Sequence, residues 1–147
     1  MIKFHIITIF PEAFESYLET SLLGKAQKLK LIKINLLDLR RFTADKHKTV
    51  DDKPYGGGPG MVLKVEPIFK AIDFLKKKIK TPKTKTRVIL FSTRGKNFDK
   101  KIALRLSKYQ DLILICGRYE GVDERVVEHI ADEEISVGDY ILSGGEL

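Results

Sequence analysis

Apolar residues crowd the start of the chain, where Ile, Phe and Thr recur over residues 2–10 until Pro11 interrupts the run. Such a run predicts a buried strand, and Pro11 suits the first position of a following helix, where no backbone hydrogen bond is lost. Phe14, Leu18, Leu22, Ala26 and Leu29 then fall at helical spacing over 12–30, with Gly24 expected to break the segment into two short helices. Residues 31–37 predict a second strand. Residues 38–61 are polar, charged and glycine-rich without periodicity, longer than the roughly 12–15 residues of an ordinary unstructured connection, so a functional loop is expected. Pro67 opens a predicted helix with Ile68, Ala71, Ile72, Leu75 and Ile79 on one face. Strands predicted at 87–92 and 111–116 flank a helix carrying Ile102, Ala103, Leu106 and Tyr109, with Asn97 its expected cap. A short helix over 122–130 and a strand over 134–137 lead into the segment 138–147. This alternation predicts one α/β domain with a largely parallel sheet.

Composition narrows the class. A chain of 147 residues, 43% hydrophobic and 32% charged, can bury roughly 70% of its unfolded surface, which excludes disorder as the default. Lys and Arg total 27 against 20 Asp and Glu, a net charge of +7 that suits a polyanionic partner and equally a lysine-rich solvated surface. The basic run 76–87 reads as a solvated helix end, because the macrodipole favours cations there. Cys116 is the one cysteine, which excludes an intrachain disulfide or a multi-cysteine metal cluster within the sequence and fits a reducing cytoplasm. The apolar start is too short to span a bilayer and lacks the cleavage site of a signal peptide.

Three glycine-bearing segments, 54–61, 116–121 and 138–145, stand at expected strand ends or in the long loop. In an open α/β sheet, ligands bind outside the carboxyl ends of the strands, and glycine lets the backbone approach a flat base. Neither a G-x-x-x-x-G-K-[ST] loop nor a G-x-G-x-x-G turn after the first strand is present, which disfavours a P-loop or ordinary Rossmann protein. His5, His47 and His129 lack metal-ligand spacing, and no metal site is expected.

The segments Pro-Tyr-Gly-Gly-Gly-Pro-Gly-Met at 54–61, Cys-Gly-Arg-Tyr-Glu-Gly-Val-Asp-Glu-Arg at 116–125 and Ser-Val-Gly-Asp-Tyr-Ile-Leu-Ser-Gly-Gly-Glu-Leu at 136–147 resemble the motifs of the bacterial tRNA (guanine-N1)-methyltransferases. These are α/β-knot, or SPOUT, enzymes, and the resemblance covers essentially the whole chain. It implies a mostly parallel sheet with flanking helices and a deep trefoil knot, with S-adenosylmethionine bound near the interface of a homodimer. It also implies methyl transfer to N1 of the guanosine 3′ of the anticodon in tRNA, with magnesium left open for turnover.

Carried over motif by motif, the resemblance assigns the donor pocket to Leu90, Phe91, Ser92, Gly117, Tyr119 and Glu120. Val137, Gly138, Asp139, Tyr140, Ile141, Leu142, Gly144 and Gly145 complete it. Glu120 is the side chain expected to pair with the donor's ammonium and to assist catalysis. Arg40, Arg41, Lys46, His47, Lys48, Asp51, Tyr55 and Gly58 form the expected RNA-facing set. The family's general-base aspartate, an arginine before it and a helical tRNA-binding domain lie beyond Leu147 in the family pattern. Residues 1–147 are therefore expected to be a truncated donor-binding domain with little turnover of its own. Without the resemblance, Phe91 and Leu142 read as core residues, and a non-catalytic RNA-binding module or a nucleotide-binding protein remains open.

Overall fold

A computed structural model describes residues 1–146 of the chain; Leu147, the last residue of the third motif, lies outside the described residues. Five strands form the central sheet: β1 (Ile2–Thr8), β2 (Ile32–Asp38), β5 (Thr86–Asn97), β6 (Asp111–Ile115) and β7 (Glu133–Ser136). Their order is β2-β1-β6-β5-β7, and each neighbouring pair is parallel. A two-stranded antiparallel ribbon, β3 (Asp51–Asp52) with β4 (Val62–Leu63), stands apart. The helices are α1 (Glu15–Glu19), α2 (Ser21–Lys28), α3 (Val65–Lys78), α4 (Lys100–Leu106) and α5 (Glu124–His129).

Parallel strands need crossover connections, and the crossover helices cover both faces of the sheet. On one face Ile7, Val88, Leu90, Ile113 and Ile115 pack against Ile68, Ala71, Ile72 and Leu75 of α3 and Val126 of α5. On the other, Ile89, Leu112 and Ile135 meet Leu106 of α4, and Ile6 meets Phe14. The alternation of Ile6 with Ile7, and of Ile89 with Val88 and Leu90, is the two-residue period of a strand buried on both sides. At the amino ends of β1 and β6, Asp111 is fully buried and accepts hydrogen bonds from His5 Nε2 at 2.8 Å and Thr81 Oγ1 at 2.6 Å.

Several boundaries differ from the sequence expectation, each for a local reason. The helical segment breaks at Thr20, whose backbone is extended, while Gly24 lies inside α2 and is buried. A Cβ on Gly24 would meet the Glu19 carbonyl, so this glycine permits the close approach of α1 rather than ending a helix. Pro11 opens a single 3-10 turn, Pro11–Phe14, before α1. Helix α3 begins at Val65, which leaves Pro67 in its first turn, where its missing N–H costs no bond. The cap of α4 is Asp99, whose carboxylate accepts the Ile102 N–H at 2.7 Å; Asn97 still belongs to β5.

The strand expected to stop at residue 92 instead runs on to Asn97, with an excursion between Phe91 and Lys96, both of which pair with Ile135 of β7. The long loop is also partly ordered. Asp38 caps a turn, Leu39–Phe42, by accepting the Arg40 N–H at 2.9 Å, and the loop then supplies β3 and β4.

Candidate functional site

At the carboxyl ends of β5, β6 and β7 a cavity of about 500 Å³ opens. Its size is that of a small-ligand site. Leu90, Phe91 and Ser92 line it from β5, Gly117, Tyr119 and Glu120 from the loop after β6, and Val137, Tyr140, Ile141, Leu142, Gly144 and Gly145 from the segment after β7. Backbone contacts hold these walls together: the Gly145 N–H donates to the Gly117 carbonyl at 3.0 Å, and Arg118 forms an antiparallel bridge with Gly144.

Gly138 and Asp139, expected in the pocket, are not among its lining residues. The Gly138 carbonyl accepts the Ser136 hydroxyl at 2.9 Å and the Tyr140 ring covers its α-carbon, while Asp139 is occupied by Asn97 Nδ2 at 2.7 Å.

The loop after β6 is shaped by backbone conformation. Tyr119 adopts φ +59°, unusual for a side chain with a Cβ, and Gly121 adopts φ +119°. This turn brings the Glu120 N–H to the Met61 carbonyl at 3.0 Å and the Leu63 N–H to the Gly121 carbonyl at 3.0 Å. The glycine-rich end of the long loop is thereby joined to the second motif. Gly60, at φ +83°, leaves the space that the Glu120 side chain fills.

The cavity also contains groups that sequence reasoning missed. Arg94, on the β5 excursion, donates to Glu124 at 2.8 Å and stands 4.0 Å from Glu134. The hydrogen bond to Glu124 and the charges of Glu124 and Glu134 hold the Arg94 guanidinium above its ordinary range. Glu134 Oε1 is buried without a hydrogen-bond partner. Val122, Val127 and Ile135 supply apolar wall. A carboxylate inside the otherwise strand-like run at 134 was the available signal, since a strand seldom buries one without a partner. Asp123 caps α5 by accepting the Arg125 N–H at 3.0 Å and pairs with the Arg125 side chain.

The expected RNA-facing residues lie apart from this cavity. Arg41, Lys46, His47 and Lys48 are exposed on the long loop, Arg40 and Asp51 are half-buried, and Gly58 is exposed at φ +126°. Tyr55 is fully exposed and lines a second cavity of about 490 Å³ with Phe42, Lys53, Lys64 and Arg125. Asp45 braces the loop by accepting the Thr49 N–H at 3.1 Å and the Thr49 hydroxyl at 2.8 Å, which lowers its carboxyl below the ordinary value. Among the described residues, no three His, Cys, Asp or Glu side chains form a metal-holding group.

An all-parallel sheet with a glycine-walled cavity at its carboxyl edge, lacking any phosphate-loop signature, defines a class of small-ligand-binding α/β proteins built around backbone recognition. The family described as tRNA (Guanine-1)-methyltransferase TrmD matches residues 2–147, and the chain belongs to that family. It is 56% identical over 144 residues to the tRNA (guanine-N(1)-)-methyltransferase of Sulfurihydrogenibium sp., covering 98% of this chain and 55% of that protein. The Dictyoglomus turgidum enzyme of the same name is 56% identical over 147 residues, covering 100% of this chain and 57% of the relative. The chain thus spans little more than half the length of these curated relatives. Among solved structures, the tRNA (m1G37) methyltransferase from Aquifex aeolicus superposes with a TM-score of 0.87 at 43% identity, covering 99% of this chain and 63% of that one.

Proposed function

We propose that residues 1–147 form the S-adenosylmethionine-binding domain of a tRNA (guanine-N1)-methyltransferase acting on the guanosine 3′ of the anticodon. The observation that carries the reading is the cavity where the β5 end and the loops 116–121 and 137–145 converge. Its polar main chain near Gly117, Gly144 and Gly145 suits an adenine, and Val122, Val127 and Leu142 suit the faces of the ring. The unpartnered Glu134 oxygen is an acceptor for a donor group of the ligand, and Glu120 faces the ammonium of the methionine part. Bound there, S-adenosylmethionine supplies an electrophilic methyl group on a sulfonium.

The chain's own contribution is to hold that ligand rigidly and to present an acceptor nitrogen in line with it, since positioning supplies much of the acceleration in such a transfer. Glu120 assists by accepting a proton or by ordering the group that does; the main general base is expected outside these residues. The cations Arg41, Lys46 and Lys48 hold phosphates, and Tyr55 offers a face for stacking. Exposed Val137, Tyr140 and Ile141 at the cavity mouth suit coverage by a second copy of the chain in a homodimer. The β5 excursion across β7 and the return of 137–145 to Gly117 are consistent with the trefoil knot. No helix of the described residues is long and apolar enough to cross a membrane, and a cytoplasmic site of action follows from the substrate.

Calorimetric titration tests the reading, with ATP plus magnesium as the comparison ligand and Gly117→Trp as the blocking variant. Saturable binding of S-adenosylmethionine that Gly117→Trp abolishes is the expected result. Preference for ATP supports a nucleotide-binding protein instead. RNA binding that is steeply salt-dependent and indifferent to the donor supports a non-catalytic RNA module. Turnover with and without a chelator decides the magnesium requirement.

A further inference from the structure

Besides its main-chain bonds to Gly117 and Arg118, the segment that closes the cavity is fastened by a carboxylate lying beyond it. Glu146 follows Gly145, and its side chain is only 6% exposed. Thr8, fully buried at the carboxyl end of β1, donates its hydroxyl to Glu146 Oε1 at 2.8 Å. The same hydroxyl oxygen accepts the Phe10 N–H at 3.0 Å, which fixes the direction of the donated proton. The other carboxylate oxygen, Oε2, faces Arg118 Nε at 3.8 Å. Arg118 in turn donates to the Ser143 carbonyl at 2.6 Å and lies 4.7 Å above the Phe10 ring.

Burying a carboxylate is unfavourable unless hydrogen bonds and a cation compensate it, so an apolar residue would serve if only burial were needed here. What the carboxylate adds is direction. One oxygen reaches a strand end of the rigid sheet, and the other reaches toward an arginine of the second motif that itself lines the cavity. The two glycines before it are shaped to the same purpose. A Cβ on Gly144 would collide with Glu146 Oε2 and Arg118, and one on Gly145 would stand 2.8 Å from the Cys116 α-carbon. Arg118 Nε is buried with no hydrogen-bond partner and sits just beyond reach of Glu146.

We infer that Glu146, anchored by Thr8, is a positioning residue that sets the placement of segment 137–145 and, through it, the affinity for the donor. Neither Thr8 nor Glu146 lines the cavity, so each acts through the loop. The inference rests on the donor-binding reading given above.

The test titrates S-adenosylmethionine into the protein and into Glu146→Ala, Glu146→Gln, Thr8→Val and Thr8→Ser, well below the melting temperature of each. Amide hydrogen exchange of Gly145 and Ile113 is followed in the same variants without ligand. Glu146→Ala and Thr8→Val are expected to weaken donor binding about tenfold or more, with Thr8→Ser close to the parent and Glu146→Gln between. Exchange at Gly145, whose N–H is bonded to Gly117, accelerates in the weakened variants while exchange at Ile113, in the core, does not. Parent-like donor affinity in both Glu146→Ala and Thr8→Val overturns the inference, as does a Thr8→Ser protein no better than Thr8→Val. If the parent itself binds no donor, the donor reading fails separately, and unchanged Gly145 exchange in Glu146→Ala then overturns the positioning role on its own.

Discussion

Gly95 lies with its bare α-carbon against the backbone of Ile135: a Cβ at residue 95 would stand 2.5 Å from the Ile135 nitrogen. The contact arises because β5 leaves β7 after Phe91 and rejoins it at Lys96, using Ile135 as partner twice. The neighbour that would have to give way is main chain in a buried strand, so it cannot yield as a flexible side chain would. Gly95→Ala is expected to cost about 3 kcal/mol or more, at the upper end of overpacking effects. Chemical denaturation of the variant checks this, and a loss well under 1 kcal/mol would mean that the crossing is loose.

The buried network at Asp111 predicts an acid-sensitive term in stability. Burial alone would raise this carboxyl, but hydrogen bonds from Thr81 and His5 and the nearby Lys3 charge outweigh it and hold the group below its usual 3.8. A depressed folded value means that the stabilisation is present above the ordinary carboxylate range and is lost as the pH falls through the folded value. Melting temperature measured downward from neutral pH should therefore fall less steeply at its acid end in Asp111→Asn than in the parent. Asp111→Ala leaves His5 and Thr81 without their carboxylate partner in the interior and is expected to cost about 2–4 kcal/mol at neutral pH.

Gly60 and Glu120 should be energetically coupled. Alanine at residue 60 meets two penalties, an unfavourable φ of +83° and a collision with the Glu120 side chain. Removing the Glu120 side chain relieves only the second. A double-mutant cycle of Gly60→Ala with Glu120→Ala, read by chemical denaturation, is expected to give a coupling of about 1 kcal/mol, within the range seen for residues in contact. Simple additivity would mean that Gly60 and the Glu120 side chain do not press on each other.

Charge reversal on the long loop separates RNA binding from donor binding. Arg41→Glu and Lys48→Glu are each expected to weaken RNA binding and to reduce the slope of log affinity against log salt by about 0.7 to 0.9 for every phosphate that the variant no longer neutralises. Donor affinity should stay at the parental value, because both side chains are exposed and outside the cavity lining. An unchanged salt slope removes these cations from the interface.

Much of the architecture was legible because it rests on periodicity and turn chemistry. The buried strand β1 and the helical stripe Ile68, Ala71, Ile72 and Leu75 were each readable from spacing alone. What escaped depends on neighbours distant in sequence. Gly24 reads as a helix breaker until Glu19 is found pressed against it. Residues 93–97 read as a loop because the strand that recaptures them, β7, lies much further along the chain. The glycine segments that line the cavity are visible in the sequence because glycine advertises backbone approach, whereas Arg94, Glu124 and Glu134 were missed because ionic partners on three separate elements leave no local pattern. For Asp139 the converse holds: its motif is visible in the sequence, but its bond to Asn97 is not.

The strand order has a consequence for synthesis. One edge of β1 is covered by β2, which follows soon after it, but the other edge must wait for β6, and Asp111 emerges 106 residues after its partner His5. At ordinary elongation rates of about 5–20 residues per second, that wait lasts roughly 5 to 20 s. Throughout it, the nascent chain carries an apolar, unpaired parallel edge in front of the ribosome, open to strand addition by neighbouring chains. The centre of the finished sheet is thus the last part of β1 to be protected, and expression yield should respond more to chaperone supply during translation than the stability of the folded domain would suggest.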